Sequence, residues 1–158
     1  MRFFVSVGTQ LPFDRLLEAV EDCLDPTNDV AIFQIGESRH RPKFGDVYNY
    51  LSPQEYSEEF DKCDVFISHA GMGSIITALE NGKPIIIMPR LFSFGEHRND
   101  HQVDTANRFI NNPLVSIVNS KEDLNVLLEN FNFSRGSVSS SINPAPELIS
   151  FLKSVIDN

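Results

Sequence analysis

Short apolar runs alternate along most of the chain with stretches whose apolar residues recur at helical spacing. Residues 3–7, 30–35, 47–51, 65–68, 85–88 and 115–118 have the length and composition of strands. Between them, Leu16, Leu17 and Val20 mark one face of a helix that Pro12 and Phe13 lead into and that ends near Leu24, before the breaker Asp25-Pro26-Thr27-Asn28. Ser52 and Pro53 open a second helix, to about Cys63, as cap and first-turn residue. A third helix runs from a glycine-rich loop at 71–74 to Gly82, and a fourth from about Asp100 to Ile110. A fifth is capped by Ser120 and reaches about Asn130, with Glu122 and Asp123 suited to its first turn. The run Ile85-Ile86-Ile87-Met88 does not alternate, so both faces of that strand must be buried. Repeated strand–helix units with such strands imply an α/β fold: a Rossmann-like parallel sheet with helices on both faces. Ligands of such sheets bind beyond the carboxyl ends of the strands, where the strand order reverses. The loops at 8–10 and 69–74 are expected to meet there.

The remaining segments are of another kind. Residues 131–143 hold Ser134, Ser137, Ser139, Ser140, Ser141 and Gly136 and read as a linker or loop. Residues 144–158 place Leu148, Ile149 and Leu152 on one side of a terminal helix, which would pack on the domain or on a partner. The expected organisation is therefore one folded domain over 1–130, the linker 131–143 and the helix 144–158. At 158 residues one domain is the natural expectation. The formal net charge of −9 argues against nucleic-acid binding and against direct docking on anionic lipid. No run approaches the roughly 18 apolar residues that cross a bilayer, and the N-terminal run is too short for a signal peptide. Cys23 and Cys63 fit no metal spacing and read as free thiols, which points to the cytoplasm.

The segment His69-Ala70-Gly71-Met72-Gly73-Ser74 carries most of the chemistry. It joins a buried strand to a helix N-terminus, where free N–H groups and the helix dipole suit a phosphate. Gly71 and Gly73 allow close backbone approach, Ser74 adds a hydroxyl, and His69 adds a cation or a hydrogen-bond donor. By itself a Gly-x-Gly is equally an ordinary tight turn, and the loop is neither a Walker motif nor Gly-x-Gly-x-x-Gly. His97 and His101, at i and i+4, supply two metal ligands at best, and a polar cluster beside a sugar is the better reading. The basic loop Arg39-His40-Arg41-Pro42-Lys43 reads either as a solvated loop or as a contact for an anionic acceptor.

Four motifs together are more specific: Val7-Gly8-Thr9, Ser68-His69-Ala70-Gly71-Met72-Gly73-Ser74, Gly82-Lys83-Pro84 and Glu96-His97-Arg98-Asn99-Asp100-His101-Gln102. In these the chain, over roughly 1–130, resembles the nucleotide-binding half of GT-B glycosyltransferases, and specifically the family 28 C-terminal domain. It is most similar to the short single-domain type, one subunit of the two-part N-acetylglucosaminyltransferase of dolichol-linked oligosaccharide assembly and of bacterial exopolysaccharide and capsule transferases. The resemblance implies a UDP-sugar donor and no bound metal, since helix N-termini neutralise the leaving diphosphate. His69, Gly71, Met72, Gly73 and Ser74 would meet the diphosphate, with Gly8 and Thr9 as the facing loop. Arg90 would lie near the base, and Asp100 and Gln102 would hydrogen-bond sugar hydroxyls. Thr77 stands where many members carry a glutamate that grips the ribose. His69 and Asp100 would be the nearest candidates for a catalytic base. The resemblance also implies a membrane-anchored, acceptor-binding subunit as partner and a lipid-linked saccharide as acceptor. The chain would thus be cytoplasmic and recruited to the cytoplasmic membrane face. The alternative is a non-catalytic subunit that binds the nucleotide sugar and enhances a partner transferase.

Overall fold

The computed structural model describes residues 1–134, with the side chains described to Asn130. The expected helix at 144–158, and most of the stretch expected to be a linker, lie outside the described residues. The elements follow in the order β1 (Arg2–Ser6), α1 (Asp14–Cys23), β2 (Val30–Gln34), β3 (Asp46–Tyr48), α2 (Pro53–Lys62) and β4 (Val65–His69). Then come α3 (Met72–Glu80), β5 (Ile85–Met88), a 3-10 turn at Phe92–Phe94, α4 (His101–Arg108), β6 (Val115–Ile117) and α5 (Lys121–Ser134). The described strands form one parallel sheet in the order β3-β2-β1-β4-β5-β6. The order reverses between β1 and β4, which is the doubly wound arrangement.

The four central strands, β1, β2, β4 and β5, are largely apolar because each supplies two cores. Phe3, Val5 and Val7 of β1 and its exit, with Ala31, Phe33, Ile67, Ile86 and Met88, pack under α1 and α5. Phe4, Ile32, Phe66, Ile85 and Ile87 pack under α2, α3 and α4. Since successive side chains point to opposite faces, an unbroken apolar run is what a twice-covered strand requires. The second core is rich in rings: Phe66 stacks on Phe4 at 5.5 Å and meets Phe60 edge-on at 5.3 Å.

The helix starts follow local chemistry. The Ser52 hydroxyl accepts from the Glu55 N–H at 3.2 Å, and the Glu55 carboxylate accepts from the Ser52 N–H at 2.8 Å, a complete capping box. The Ser120 hydroxyl accepts from the Asp123 N–H at 3.1 Å. Two boundaries differ from the expectation by more than two residues. β3 stops at Tyr48 instead of continuing to 51, because the Leu51 N–H is taken by the Gln34 side-chain carbonyl at 2.9 Å rather than by a neighbouring strand. α5 continues to Ser134, past Asn130 and into the stretch read as a linker.

Candidate functional site

β1 and β4 run in register, so Ser6 stands beside Ser68 at their carboxyl ends. The loops that leave these two strands form the walls of an open cleft of about 460 Å³. Gly8, Thr9, Gln10 and Leu11 make one side; His69, Gly71, Gly73 and Ser74 make the other. The two glycine-bearing loops therefore meet at the switch point, as expected.

The glycines differ in what they do. Gly8 has φ +82°, and a Cβ there would come within 2.8 Å of His69 Nε2. A Cβ on Gly71 would collide with the same imidazole. These two positions are bare so that the His69 ring can lie between the loops. Gly73 has nothing within 4 Å of its missing Cβ, so its bareness opens the cleft to α3 itself. α3 begins after Gly71, with no side chain capping it. The N–H groups of its first turn have no partner within the helix, and they carry the positive end of its dipole.

His69 lines the cleft but is not a cation. Burial above all, then Arg90 and His97, lower its pKa from the usual 6.5 to about 4. Of the two roles open to it, the donor role remains. Arg90 also lines the cleft, yet its guanidinium is turned inward. It donates to the carbonyls of Val7 (2.6 Å), Leu11 (2.9 Å) and Pro12 (2.5 Å) and stacks 4.6 Å above the Phe13 ring centroid. Burial lowers its pKa to about 10, which leaves it charged at neutral pH. Gln102 has both ends of its amide engaged, with Arg90 N–H at 3.0 Å and His69 Nδ1 at 3.1 Å.

Three expected site residues lie outside the cleft lining. Asp100 accepts from the Phe92 N–H at 2.9 Å, which turns its carboxylate to the loop after β5. The Thr77 hydroxyl donates to the Gly73 carbonyl at 2.9 Å, back along its own helix. Met72 packs against the core under α2 and α3. The basic loop is fastened to α1: Asp14 accepts from the N–H groups of Arg39 and His40, and Glu21 from that of Lys43 and from the His40 ring. Among the described residues no group of three or more His, Cys, Asp or Glu is placed to hold a metal.

The cleft holds residues that the motifs do not announce. Ser6, Gln34, Leu51, Pro53 and Tyr56 line it, beside His97 of the fourth motif. Ser6 and Gln34 are directly paired in the sheet, and the Gln34 amide donates to the Ser6 hydroxyl at 3.3 Å. A sign of them is in the sequence: each of three apolar strands carries a buried polar residue near its carboxyl end, Ser6, Gln34 and Ser68. The Tyr56 hydroxyl is hydrogen-bonded to Ser6 and Ser74, and burial raises its pKa above the usual value. Nothing in the sequence separates Tyr56 from the core residue Phe60, one turn on. The Nδ1 of His97 is buried without a partner. Among the described residues no carboxylate lines the cleft. Unpartnered N–H groups, hydroxyls and the neutral His69 ring around a site with no described carboxylate suit an anionic ligand.

Comparison with known proteins agrees with this geometry. The model of the glycosyltransferase family 28 C-terminal domain matches residues 2–135. The chain is 32% identical over 118 residues to the mouse protein named UDP-N-acetylglucosamine transferase subunit ALG13, covering 66% of this chain and 10% of that one. It is 25% identical over 123 residues to the protein of the same name from Yarrowia lipolytica, covering 67% and 59%. The chain thus spans about a tenth of its mouse relative. A solution NMR structure of ALG13 superposes with TM-score 0.64 at 21% identity, over 99% of this chain and 97% of that one. The crystal structure of Acinetobacter baumannii MurG superposes with TM-score 0.58 at 15% identity, over 96% and 49%. The fold is that of one half of a GT-B glycosyltransferase. With the family model matched over nearly the whole described chain, the protein belongs to the glycosyltransferase family 28 C-terminal domain family.

Proposed function

We propose that this chain is the donor-binding, catalytic subunit of a UDP-sugar-dependent glycosyltransferase that acts on a lipid-linked saccharide in glycan or polysaccharide assembly. The relatives' printed name supports N-acetylglucosamine as the transferred sugar. The observation that carries the reading is the first turn of α3, uncapped and opening onto the cleft at the bare position Gly73. In this reading the diphosphate lies on that turn, with Ser74 and the Gly8 loop about it. Holding the diphosphate stabilises the charge that develops as the sugar leaves.

The proposed partner is a membrane-anchored subunit that brings the acceptor, and it would recruit this chain to the cytoplasmic membrane face. Among the described residues no helix is long and apolar enough to cross a membrane. The absence of a carboxylate from the cleft lining favours a base supplied by that partner. It also sustains the second reading, a non-catalytic nucleotide-sugar-binding subunit that enhances a partner transferase.

Gly73→Val tests the ligand assignment. A Cβ there meets nothing within 4 Å and a branched side chain would project toward the cleft, so the variant should melt within a few degrees of wild type while its affinity for UDP, read by calorimetry, collapses. Each lost charge-assisted hydrogen bond should cost on the order of 1.5–3 kcal/mol. A folded variant that binds UDP as wild type does would remove the diphosphate from the α3 N-terminus.

A further inference from the structure

The amide of Gln102 determines where the proton of His69 sits. Gln102 is 8% exposed on α4, and its Oε1 lies 3.0 Å from the backbone N of Arg90. A backbone N–H only donates, so the amide atom facing it is the oxygen. The other end of the amide, an NH₂ group, therefore faces His69 Nδ1 at 3.1 Å. That group donates, so Nδ1 accepts and carries no proton. Buried beside Arg90, the ring is neutral. Its one proton is then on Nε2. Nε2 lies at the two bare positions, 2.8 Å from where a Cβ of Gly8 would be and 2.9 Å from where one of Gly71 would be. Both glycines line the cleft.

We infer that Gln102 is a positioning residue, which holds His69 as its Nε2–H tautomer and so aims a neutral N–H donor into the cleft between Gly8 and Gly71, toward an anionic oxygen of a bound nucleoside diphosphate. The identity of that ligand rests on the function proposed above; the tautomer does not. A neutral donor has a use here. It binds the diphosphate without bringing a second fixed charge beside Arg90. Arg90 in turn holds Gln102 through its own backbone, so one strand end sets both the Gly8 loop and the imidazole.

The test is the ¹⁵N spectrum of the imidazoles in the full chain at neutral pH, with calorimetry of UDP binding alongside. His69→Asn assigns the His69 signals among those of the four histidines. Wild type should show an unprotonated Nδ1 and a protonated Nε2. Gln102→Glu sets a carboxylate, which only accepts, against Nδ1; the proton should move to Nδ1 and the UDP dissociation constant should rise roughly ten- to hundredfold. Gln102→Leu, which neither donates nor accepts, should leave both tautomers populated and give a smaller loss. A wild-type ring protonated on Nδ1 overturns the inference without recourse to any variant. So does a Gln102→Glu protein with the wild-type tautomer, or one with the switched tautomer and unchanged UDP affinity. If wild type binds no UDP, the nucleotide reading falls, and the ring spectrum still decides the tautomer.

Discussion

Two residues that the sequence marks in the same way, Thr77 and His69, have different fates in the structure. Thr77 bonds back to the Gly73 carbonyl one turn earlier, on the same face of α3. Side chains on a helix lean toward its N-terminus, so a longer side chain at 77 would reach over Gly73 toward the cleft. Thr77→Glu should therefore fold normally and tighten UDP binding, because a carboxylate is a stronger acceptor for the ribose diol than a hydroxyl. Calorimetry decides it, and severe weakening would mean that the ribose is held elsewhere. His69 makes a pH prediction. Gln102 bonds its ring, and Arg90 and His97 face it. Its pKa is about 4 folded, against an ordinary 6.5. Between those values the unfolded chain binds the extra proton, so stability rises with pH there and is lost as pH falls from 6.5 toward 4. The loss from this one group is up to roughly 3 kcal/mol. Urea unfolding of wild type and His69→Asn across this window should show a steeper acid slope for wild type; parallel slopes would contradict the buried, neutral ring.

At the scale of elements, the turn between β1 and α1 is held from across the sheet. Its carbonyls at Val7, Leu11 and Pro12 all receive N–H groups from Arg90, which follows β5. The residue expected to lie near the base is thus a strut for the loop after β1, which would face the diphosphate in the proposed function. Arg90→Met keeps much of the apolar stem but leaves the buried Val7 carbonyl without this donor, at a cost of about 1–3 kcal/mol, and frees the part-buried Leu11 and Pro12 carbonyls as well. The variant should be markedly less stable, and hydrogen exchange should rise first at the amides of residues 8–11. Exchange confined to other parts of the chain would refute the strut. The basic loop after β2 is similar in kind: its backbone N–H groups are held by Asp14 and Glu21 of α1, so its order comes from an acidic helix face rather than from a ligand.

For the molecule as a whole, the cleft lies open above the sheet and no described carboxylate lines it. Binding can proceed on such a half-site, whereas transfer needs an acceptor aligned with the anomeric carbon and water excluded. If the proposed function holds, the purified chain should bind UDP-N-acetylglucosamine and transfer nothing, and transfer to a lipid-linked saccharide should appear on adding the proposed membrane-anchored partner. Release of labelled sugar onto acceptor is the readout. Robust transfer by the chain alone would refute the two-subunit reading.

The order of strands and helices, the parallel sheet and the meeting of two glycine-bearing loops were legible in the sequence by itself. Short apolar runs of β-branched residues without alternation, bounded by turn residues, suit a twice-covered strand, and the capping residues Ser52 and Ser120 act on neighbours only three residues away. The roles of Arg90, Gln102, Asp100 and Tyr56 were decided by the tertiary structure alone. Except for Asp100, whose partner Phe92 is 8 residues back, their partners lie far along the chain: Arg90 to Val7 spans 83 residues and Gln102 to His69 spans 33. A motif places such a residue near a site, but the direction of its side chain depends on which distant carbonyl or ring nitrogen packing brings within reach. For His69 that direction also sets where the proton sits, because a neutral imidazole takes its tautomer from whatever faces its other nitrogen.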